Sequence, residues 1–128
     1  ADNYAFEVKA MLEERSNSLS LFVRSQYLWK GYQIHVTADH AETILVSKQN
    51  GSWDNSKLLG RAFSPDIKSG EWFTLRVEVK DQVLDIYVNG VKVLQAKDND
   101  NTFPQGRVGW RAEYNSLRLE YAKMEALQ

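Results

Sequence analysis

An Asn-Gly pair at positions 89 and 90 constrains the fold of this chain more than any other feature of its sequence. Asn-Gly between β-forming residues, here Val88 and Val91, is the strongest local signal for a two-residue β-hairpin. Upstream, apolar and polar side chains alternate over residues 73–79, which is the period of a half-buried strand. The sequence therefore predicts an antiparallel meander over residues 70–109.

The same alternation recurs in short segments along the rest of the chain, and no segment shows a convincing helical period. Strands are predicted at Tyr4–Leu12, Leu19–Arg24, Tyr32–Thr37, Thr43–Lys48, Leu58-Leu59, Phe73–Val79, Val83–Val88, Val91–Leu94, Arg107–Arg111 and Leu117–Tyr121. A second Asn-Gly pair, Asn50-Gly51, predicts a further turn. Many short strands without helices are typical of an all-β antiparallel sandwich or jelly roll.

Length and composition exclude several classes of protein. A chain of 128 residues suits one domain, and 43% hydrophobic with 26% charged residues is an ordinary globular composition. The net charge of -1 argues against nucleic acid as a partner, because phosphate binding needs a basic face. No apolar run approaches the roughly 20 residues that span a bilayer, so membrane insertion is not expected. The absence of cysteine excludes disulfides and thiolate metal sites.

Strand alternation divides the side chains into a core set and an outward set. The predicted core contains Phe6, Val8, Leu21, Val23, Tyr32, Ile34, Trp72, Val108, Trp110, Leu117, Leu119 and Tyr121. The outward set contains Glu7, Arg24, Gln33, His35, Arg111 and Glu120. If the outward residues share one concave sheet, they form a polar groove whose Arg and Glu side chains can hydrogen-bond adjacent sugar hydroxyls. The alternative is that they are solvated strand faces with cross-strand ion pairs.

Three aromatic residues are predicted to lie in turns, where a ligand could reach their rings. Tyr27 and Trp29 share the turn after the second strand, and Trp53 follows Asn50-Gly51. An exposed aromatic ring offers a flat apolar platform to the C–H face of a sugar, while its polar atom stays in water. The alternative is that a loop tryptophan covers the end of the core.

A metal site and a catalytic site have weaker signals. Asp98-Asn99-Asp100-Asn101 concentrates hard oxygen donors, so Asp98 and Asp100 are candidate calcium ligands, with a plain Asx turn as the alternative. Glycoside hydrolysis needs two carboxyl groups at a fixed separation, and only Glu7 and Glu120 are candidates on outward faces. No Ser-His-Asp or Gly-rich phosphate motif is present. The residues therefore favour binding without turnover over catalysis.

Several motifs resemble those of concanavalin A-like (laminin G-like) jelly rolls. They are Gly70-Glu71-Trp72 at a strand start, the Asn89-Gly90 turn, and Gly106-Arg107-Val108-Gly109-Trp110-Arg111. The first half, SLSLFVRSQ followed by GYQIHV, is also similar to that family. The nearest subgroups are carbohydrate-binding modules of glycoside hydrolases and the 3-keto-disaccharide hydrolase domain. One departure is that the chain opens directly in a core strand. Either the domain is unusually short at its start or, as the simpler account, it is a single domain taken from a longer multidomain protein.

The resemblance implies a non-catalytic module that recognises a poly- or oligosaccharide, with extracellular, cell-surface or periplasmic localisation and covalently linked neighbouring domains. Two alternatives stay open. One is a glycoside-active domain of the 3-keto-disaccharide hydrolase type, although this chain has Gln33 and His35 where that family tends to place Glu and Gln. The other is a laminin G-like module that binds protein. Calcium is the one cofactor that the resemblance and the Asp98 turn suggest.

Overall fold

Ten antiparallel β-strands make up the computed structural model, which describes residues 2–26, 29–52, 55–113 and 117–127. In chain order they are β1 (Tyr4–Leu12), β2 (Ser18–Gln26), β3 (Lys30–Thr37), β4 (Ile44–Asn50), β5 (Lys57–Ala62), β6 (Trp72–Lys80), β7 (Val83–Val88), β8 (Val91–Lys97), β9 (Arg107–Glu113) and β10 (Leu117–Ala126). Within those ranges no helix is long and apolar enough to cross a bilayer. Every predicted strand is present, so the all-β prediction is confirmed.

The strands form two five-stranded sheets that pack face to face. One sheet, which we call the front sheet, has the order β5-β4-β3-β2-β9. The other, the back sheet, has the order β10-β1-β6-β7-β8. Strands β5 and β8 pack together along one side of the sandwich, which leaves β9 and β10 as the edge strands of the other side.

The predicted hairpin at Asn89-Gly90 is confirmed. Asn89 has φ 50° and Gly90 has φ 82°, both left-handed as a type I′ turn requires, and Val88 pairs directly with Val91. The second Asn-Gly pair behaves differently, because β4 ends at Asn50 and β5 begins only at Lys57. Two antiparallel neighbours are still joined there, but by a longer connection than the two-residue turn that Asn-Gly favours.

The core lies between the two sheets and is built from their inward-facing side chains. Six of the twelve predicted core residues are buried, namely Phe6, Val8, Leu21, Val23, Tyr32 and Ile34, and three more, Val108, Leu117 and Leu119, are half-buried and pack against them. Full burial of one such aliphatic side chain contributes roughly 1.5–3 kcal/mol. Period-two alternation therefore located the core correctly in the central strands.

Two tryptophans predicted to be buried are exposed instead. Trp72 pairs with Met11, and the core position beside it is taken by Phe73, because successive side chains point to opposite faces. Trp110 lies opposite the buried Leu21, on the inward phase, but β9 is an edge strand and the ring is 46% exposed. An inward-pointing side chain on an edge strand can therefore remain exposed, because no further strand covers it on that side.

The prediction that Tyr121 faces the core is also wrong. Its neighbour Leu119 pairs with Ala10, yet Tyr121 pairs with Lys9, so Glu120 is an extra residue in β10 and forms a β-bulge. A bulge reverses the alternation beyond it. Tyr121 therefore points outward, where its hydroxyl donates a hydrogen bond to Glu7 Oε2 at 2.5 Å.

Candidate functional site

A polar groove crosses the outer face of the front sheet, and strand register determines which side chains line it. Arg111 on β9 lies opposite Ser20 on β2, Ser20 lies opposite His35 on β3, and His35 lies opposite Leu45 on β4. The groove has a volume of about 400 Å³ and is lined by Gln33, His35, Leu45, Ser47, Gln49, Ser56, Leu58 and Arg111. Three predicted ligand-binding residues, Gln33, His35 and Arg111, are thus brought together.

Hydrogen bonds hold the floor of the groove in one arrangement. Gln33 Nε2 donates to Ser20 Oγ at 2.9 Å, and Ser20 Oγ is hydrogen-bonded to His35 Nδ1 at 2.9 Å. The other ring nitrogen of His35 lies 3.3 Å from Thr37 Oγ1. On the neighbouring strand, Gln49 Nε2 donates to Ser47 Oγ at 2.9 Å. These bonds fix the direction of each planar group before any ligand arrives.

An exposed tryptophan borders the groove. Trp29 is 54% exposed and has φ 59°, a left-handed conformation that is rare for a bulky residue and is found mainly where structure or function demands it. The guanidinium carbon of Arg111 lies 5.0 Å from the centroid of the Trp29 indole and 5.6 Å from that of the Phe22 ring. Cation–π contact with both rings orients this guanidinium. Tyr27 and Trp53, the other two predicted platforms, lie outside the described residues.

Arg24 is not part of the groove, which corrects its placement in the outward set. It is only 1% exposed, because one extra residue in β2 turns it toward the end of the sandwich. Its guanidinium donates to the backbone oxygens of Asp2, Asp81 and Phe103. A further bond of 3.1 Å runs to Asn3 Oδ1. Arg24 therefore joins three chain segments inside the fold.

Glu7 and Glu120 lie on the back sheet, on the far side of the sandwich from the groove. Glu7 is 3.5 Å from both Arg76 and Lys123, and Glu120 is 3.2 Å from Lys9. Burial tends to raise the pKa of Glu7, but the Tyr121 hydroxyl and the two cations outweigh it and lower that pKa. The predicted groove required all the outward residues to share one sheet, and these two glutamates do not lie on the sheet of the groove. The alternative prediction, a solvated strand face with cross-strand ion pairs, describes the back sheet.

The predicted calcium ligands are occupied by the protein itself. Asp98 is buried and accepts hydrogen bonds from Tyr32 Oη at 2.6 Å and Lys48 Nζ at 2.9 Å, while Asp100 lies 3.5 Å from the same ammonium. Burial would raise the pKa of Asp98, but these donors and two backbone N–H groups hold it well below its usual range. Calcium needs six to eight oxygen ligands. Within the described ranges no group of three acidic or histidine residues could hold a metal. At Asp98 and Asp100, the Lys48 ammonium lies where a cation would bind.

Sequence reasoning named three of the eight described residues that line the groove and missed the other five. Ser20, Ser47 and Gln49 alternate with buried residues of β2 and β4, so their outward phase was readable. What no pattern showed is that β4 lies beside β3 on the same sheet as β2 and β9, because strand order depends on contacts between distant segments.

Comparison with solved structures identifies the fold. Carbohydrate-binding module CBM66 from Bacillus subtilis superimposes with a TM-score of 0.75 at 18% identity, over 98% of this chain and 73% of that one. Sheep galectin-11 in complex with glycerol matches with a TM-score of 0.72 at 16% identity, over 98% and 91% of the two chains. A tetrameric galectin from the sponge Cinachyrella sp. matches at 0.73 and 12% identity, over 96% and 92%. These similarities confirm the concanavalin A-like jelly roll.

Comparison of the sequence with curated proteins finds no match. A family model does match, however, and it extends over residues 1–125, which include both sheets and the whole groove. This agrees with the resemblance carried by the strand-opening motif at Gly70 and the motif at Gly106–Arg111. The chain belongs to the family of 3-keto-alpha-glucoside-1,2-lyase-like domains.

Proposed function

We propose that the groove on the front sheet binds a saccharide. The observation that carries the proposal is the exposed Trp29 indole beside a groove of planar hydrogen-bonding side chains, Gln33, Gln49 and Arg111. Sugar hydroxyls both donate and accept, and amide and guanidinium groups suit them because their donors and acceptors lie in fixed planes. The indole supplies the apolar surface on which the C–H face of a sugar ring can lie.

Rigidity of the groove supports the same proposal. The bonds from Gln33 to Ser20 and from Gln49 to Ser47 keep the amide groups in place, so little side-chain entropy is lost when a ligand arrives. The structural neighbours are a carbohydrate-binding module and galectins, which supports the same ligand class, as does the glucoside in the name of the family. Each hydrogen bond to a sugar replaces one to water at small net gain, so we expect weak binding per site.

A glycan array followed by titration of the best ligand tests this proposal. Trp29→Ala should weaken binding by about tenfold or more, the ratio that corresponds to a stacking contact of roughly 1.4 kcal/mol. Trp72→Ala is the matched control, because Trp72 is an exposed tryptophan on the back sheet. Equal losses in the two variants, or no binding to any glycan by the wild-type domain, would contradict the proposal.

Catalysis is the second candidate function, and membership of the lyase-like family together with His35 favours it. A 1,2-elimination on a 3-keto-glucoside removes the proton from C2, which the neighbouring carbonyl acidifies. A C1=C2 double bond then forms as the C1–O bond breaks, and the leaving oxygen takes up a proton. Of the described residues lining the groove, His35 is the one with a side chain that can accept a proton near neutral pH.

The two candidates separate in one assay. Incubation with a 4-nitrophenyl 3-keto-alpha-glucoside should release nitrophenol if the domain is a lyase, and His35→Gln should then lower kcat by about 100-fold or more. Binding without release would establish a binding module. Release that is unchanged in His35→Gln would exclude His35 as the base.

We further propose that the domain works outside the cytoplasm as one module of a longer protein. Weak binding per site becomes useful when a second linked module holds the same polysaccharide, because the second contact is then intramolecular. Fractionation of the source cells with an antibody to this domain tests the location. A signal confined to the cytoplasm would overturn it.

A further inference from the structure

A second cavity adjoins the groove beyond Phe22, and the proposed function does not account for it. The cavity has a volume of about 590 Å³. Its lining includes Phe22, Gln26, Arg107, Gly109 and Trp110, and we call it the Arg107 pocket. A third cavity of about 400 Å³, lined by Phe22, Ser25, Trp29 and Arg111, connects the two. One extended ligand could therefore occupy the groove and the Arg107 pocket together.

Charge distinguishes the Arg107 pocket from the back sheet. On the back sheet the outward cations are matched by acids, as in Arg76 with Glu78 and Glu125 or Lys92 with Asp85. Among the described residues, the lining of the Arg107 pocket has a cation and no acidic residue. Within the described part of the chain, the exposed Arg107 guanidinium takes part in no ion pair or side-chain hydrogen bond. With a net charge of -1, the chain has acids enough to pair it.

Shape leaves room beside this guanidinium. Arg107 and Gly109 point to the same face of β9, and their Cα atoms are about 6.6 Å apart at the usual rise of a strand. A Cβ atom added to Gly109 would meet no atom within 4 Å, so the space in front of it is open. Phe22 lies opposite Gly109 on the same outward face, and Trp110, 46% exposed at the sheet edge, is also among the lining residues.

We propose that the Arg107 pocket is a second saccharide subsite that takes a sugar unit with an anionic substituent, a carboxylate or a sulfate ester. The sugar ring lies over Gly109 against Phe22, and the Arg107 fork holds the anion through two parallel N–H donors. This inference rests on the proposed function, since it assigns the adjoining unit of the same ligand. It predicts a saccharide of at least two units, of which the one beyond Trp29 is charged.

The test compares matched glycans on one array: uronic acid oligosaccharides with their methyl esters, and 6-sulfated oligosaccharides with their unsulfated parents. Anionic members should bind about tenfold more tightly than their neutral partners, and 500 mM NaCl should remove most of that difference. Preference for the uronates alone or the sulfates alone distinguishes the two sources of the anion.

Two variants locate the effect. Arg107→Gln should abolish the anionic preference and leave the affinity for neutral glycans within about twofold, whereas Arg118→Gln, an exposed arginine on the back sheet, should change neither. Gly109→Val fills the open space without a change of charge and should also weaken binding of the anionic members. Circular dichroism confirms folding of each variant.

The outcomes separate this inference from the proposed function. Equal binding of neutral and anionic partners would overturn the inference and leave saccharide binding intact. A preference that survives Arg107→Gln would also overturn it. If no glycan of either kind binds, both proposals fail.

Discussion

Arg24 shows how one buried charge can organise the end of a β-sandwich. Its guanidinium is enclosed by backbone carbonyl groups from the start of the chain, from the β6–β7 turn and from the segment before β9. Carbonyl dipoles replace the water that the cation loses, and the cation in turn supplies a donor to the backbone oxygen of the buried Phe103. A residue expected to contact ligand is therefore a structural residue.

Replacement of Arg24 should destabilise the protein strongly. Arg24→Gln removes donors from several carbonyl groups at once, so we expect the free energy of unfolding to fall by about 3 kcal/mol. Arg61→Gln is the control, because Arg61 is exposed and, among the described residues, its one ion pair is with Glu42, and it should cost no more than about 0.5 kcal/mol. Urea denaturation of the three proteins measures both values. A cost below 1 kcal/mol for Arg24→Gln would contradict this role.

The buried pair of Asp98 and Lys48 should make stability depend on pH. The pKa of Asp98 is lowered in the folded protein, so the unfolded chain binds more protons on acidification and stability falls as pH drops below about 4. Asp98→Asn leaves the buried Lys48 ammonium with only the exposed Asp100 carboxylate, at 3.5 Å, among the described residues, and should cost about 3 kcal/mol at neutral pH.

Urea denaturation at pH 7 and pH 3 measures this linkage. The stability difference between wild type and Asp98→Asn should shrink at the lower pH. Near pH 3 the unfolded wild-type chain binds a proton at Asp98, which lowers the free energy of the unfolded state relative to the folded one. A difference that stays constant between the two pH values would show that the ion pair contributes nothing to the acid response.

Among the elements, β2 determines the most about the site. Its extra residue lets Phe22 and Ser25 share the groove face while Val23 and Arg24 both point inward. Two glycines make this bulge possible: a Cβ on Gly31 would lie 2.8 Å from Ser25 Cα, and one on Gly106 would lie 2.3 Å from the Arg24 carbonyl carbon. Backbone contact at such distances admits no side chain.

Gly106→Ala should therefore disturb the bulge. The new methyl group would collide with the backbone of Arg24, and Gly106 also has φ 153°, so we expect a loss of at least about 2 kcal/mol in unfolding free energy. Gly109→Ala is the matched control. It lies three residues further on, within β9, and its added Cβ meets nothing within 4 Å. Thermal or urea unfolding compares them, and equal midpoints would show that the bulge tolerates the shift.

Seen as a whole molecule, the sandwich separates its two outer faces by chemistry. The back sheet has charges that neutralise one another, with Arg76 lying among Glu7, Glu78 and Glu125. The cavities of the front sheet are lined by amides, a histidine, aromatic rings and two arginines, Arg107 and Arg111, with no acidic residue among the described lining residues. The core between the sheets keeps the two faces apart, so a change on one should leave the chemistry of the other intact.

This separation predicts the behaviour of the two glutamates expected to contact ligand. Glu7→Gln and Glu120→Gln should leave glycan affinity within about twofold, since both lie on the back sheet, whereas Gln33→Ala should lower it by about tenfold. Isothermal titration with the best array ligand measures all three. A tenfold loss in either glutamate variant would show that ligand reaches the back sheet.

The positions of the ten strands followed from local patterns, because alternation and turn chemistry depend on residues close in sequence. The wrong predictions of side-chain direction and burial lie at bulges and at a sheet edge, which depend on pairing with distant strands. Tyr121 and Arg24 lie beside bulges, each an extra residue that no hydropathy pattern marks. Trp110 has the inward phase but lies on an edge strand, and edge or centre is a property of the sheet rather than of the strand.

By itself, the sequence determined an all-β chain, its hairpin at Asn89-Gly90 and most of its core, since each follows from contacts within a strand or turn. Only the tertiary structure decided which outward faces lie together. It brought Gln33, His35 and Arg111 into one groove and placed Glu7 and Glu120 behind it, and it enclosed Arg24. The physical reason is that strand order and bulges are settled by pairing between segments far apart in the chain, where packing of the whole sandwich outweighs any local preference.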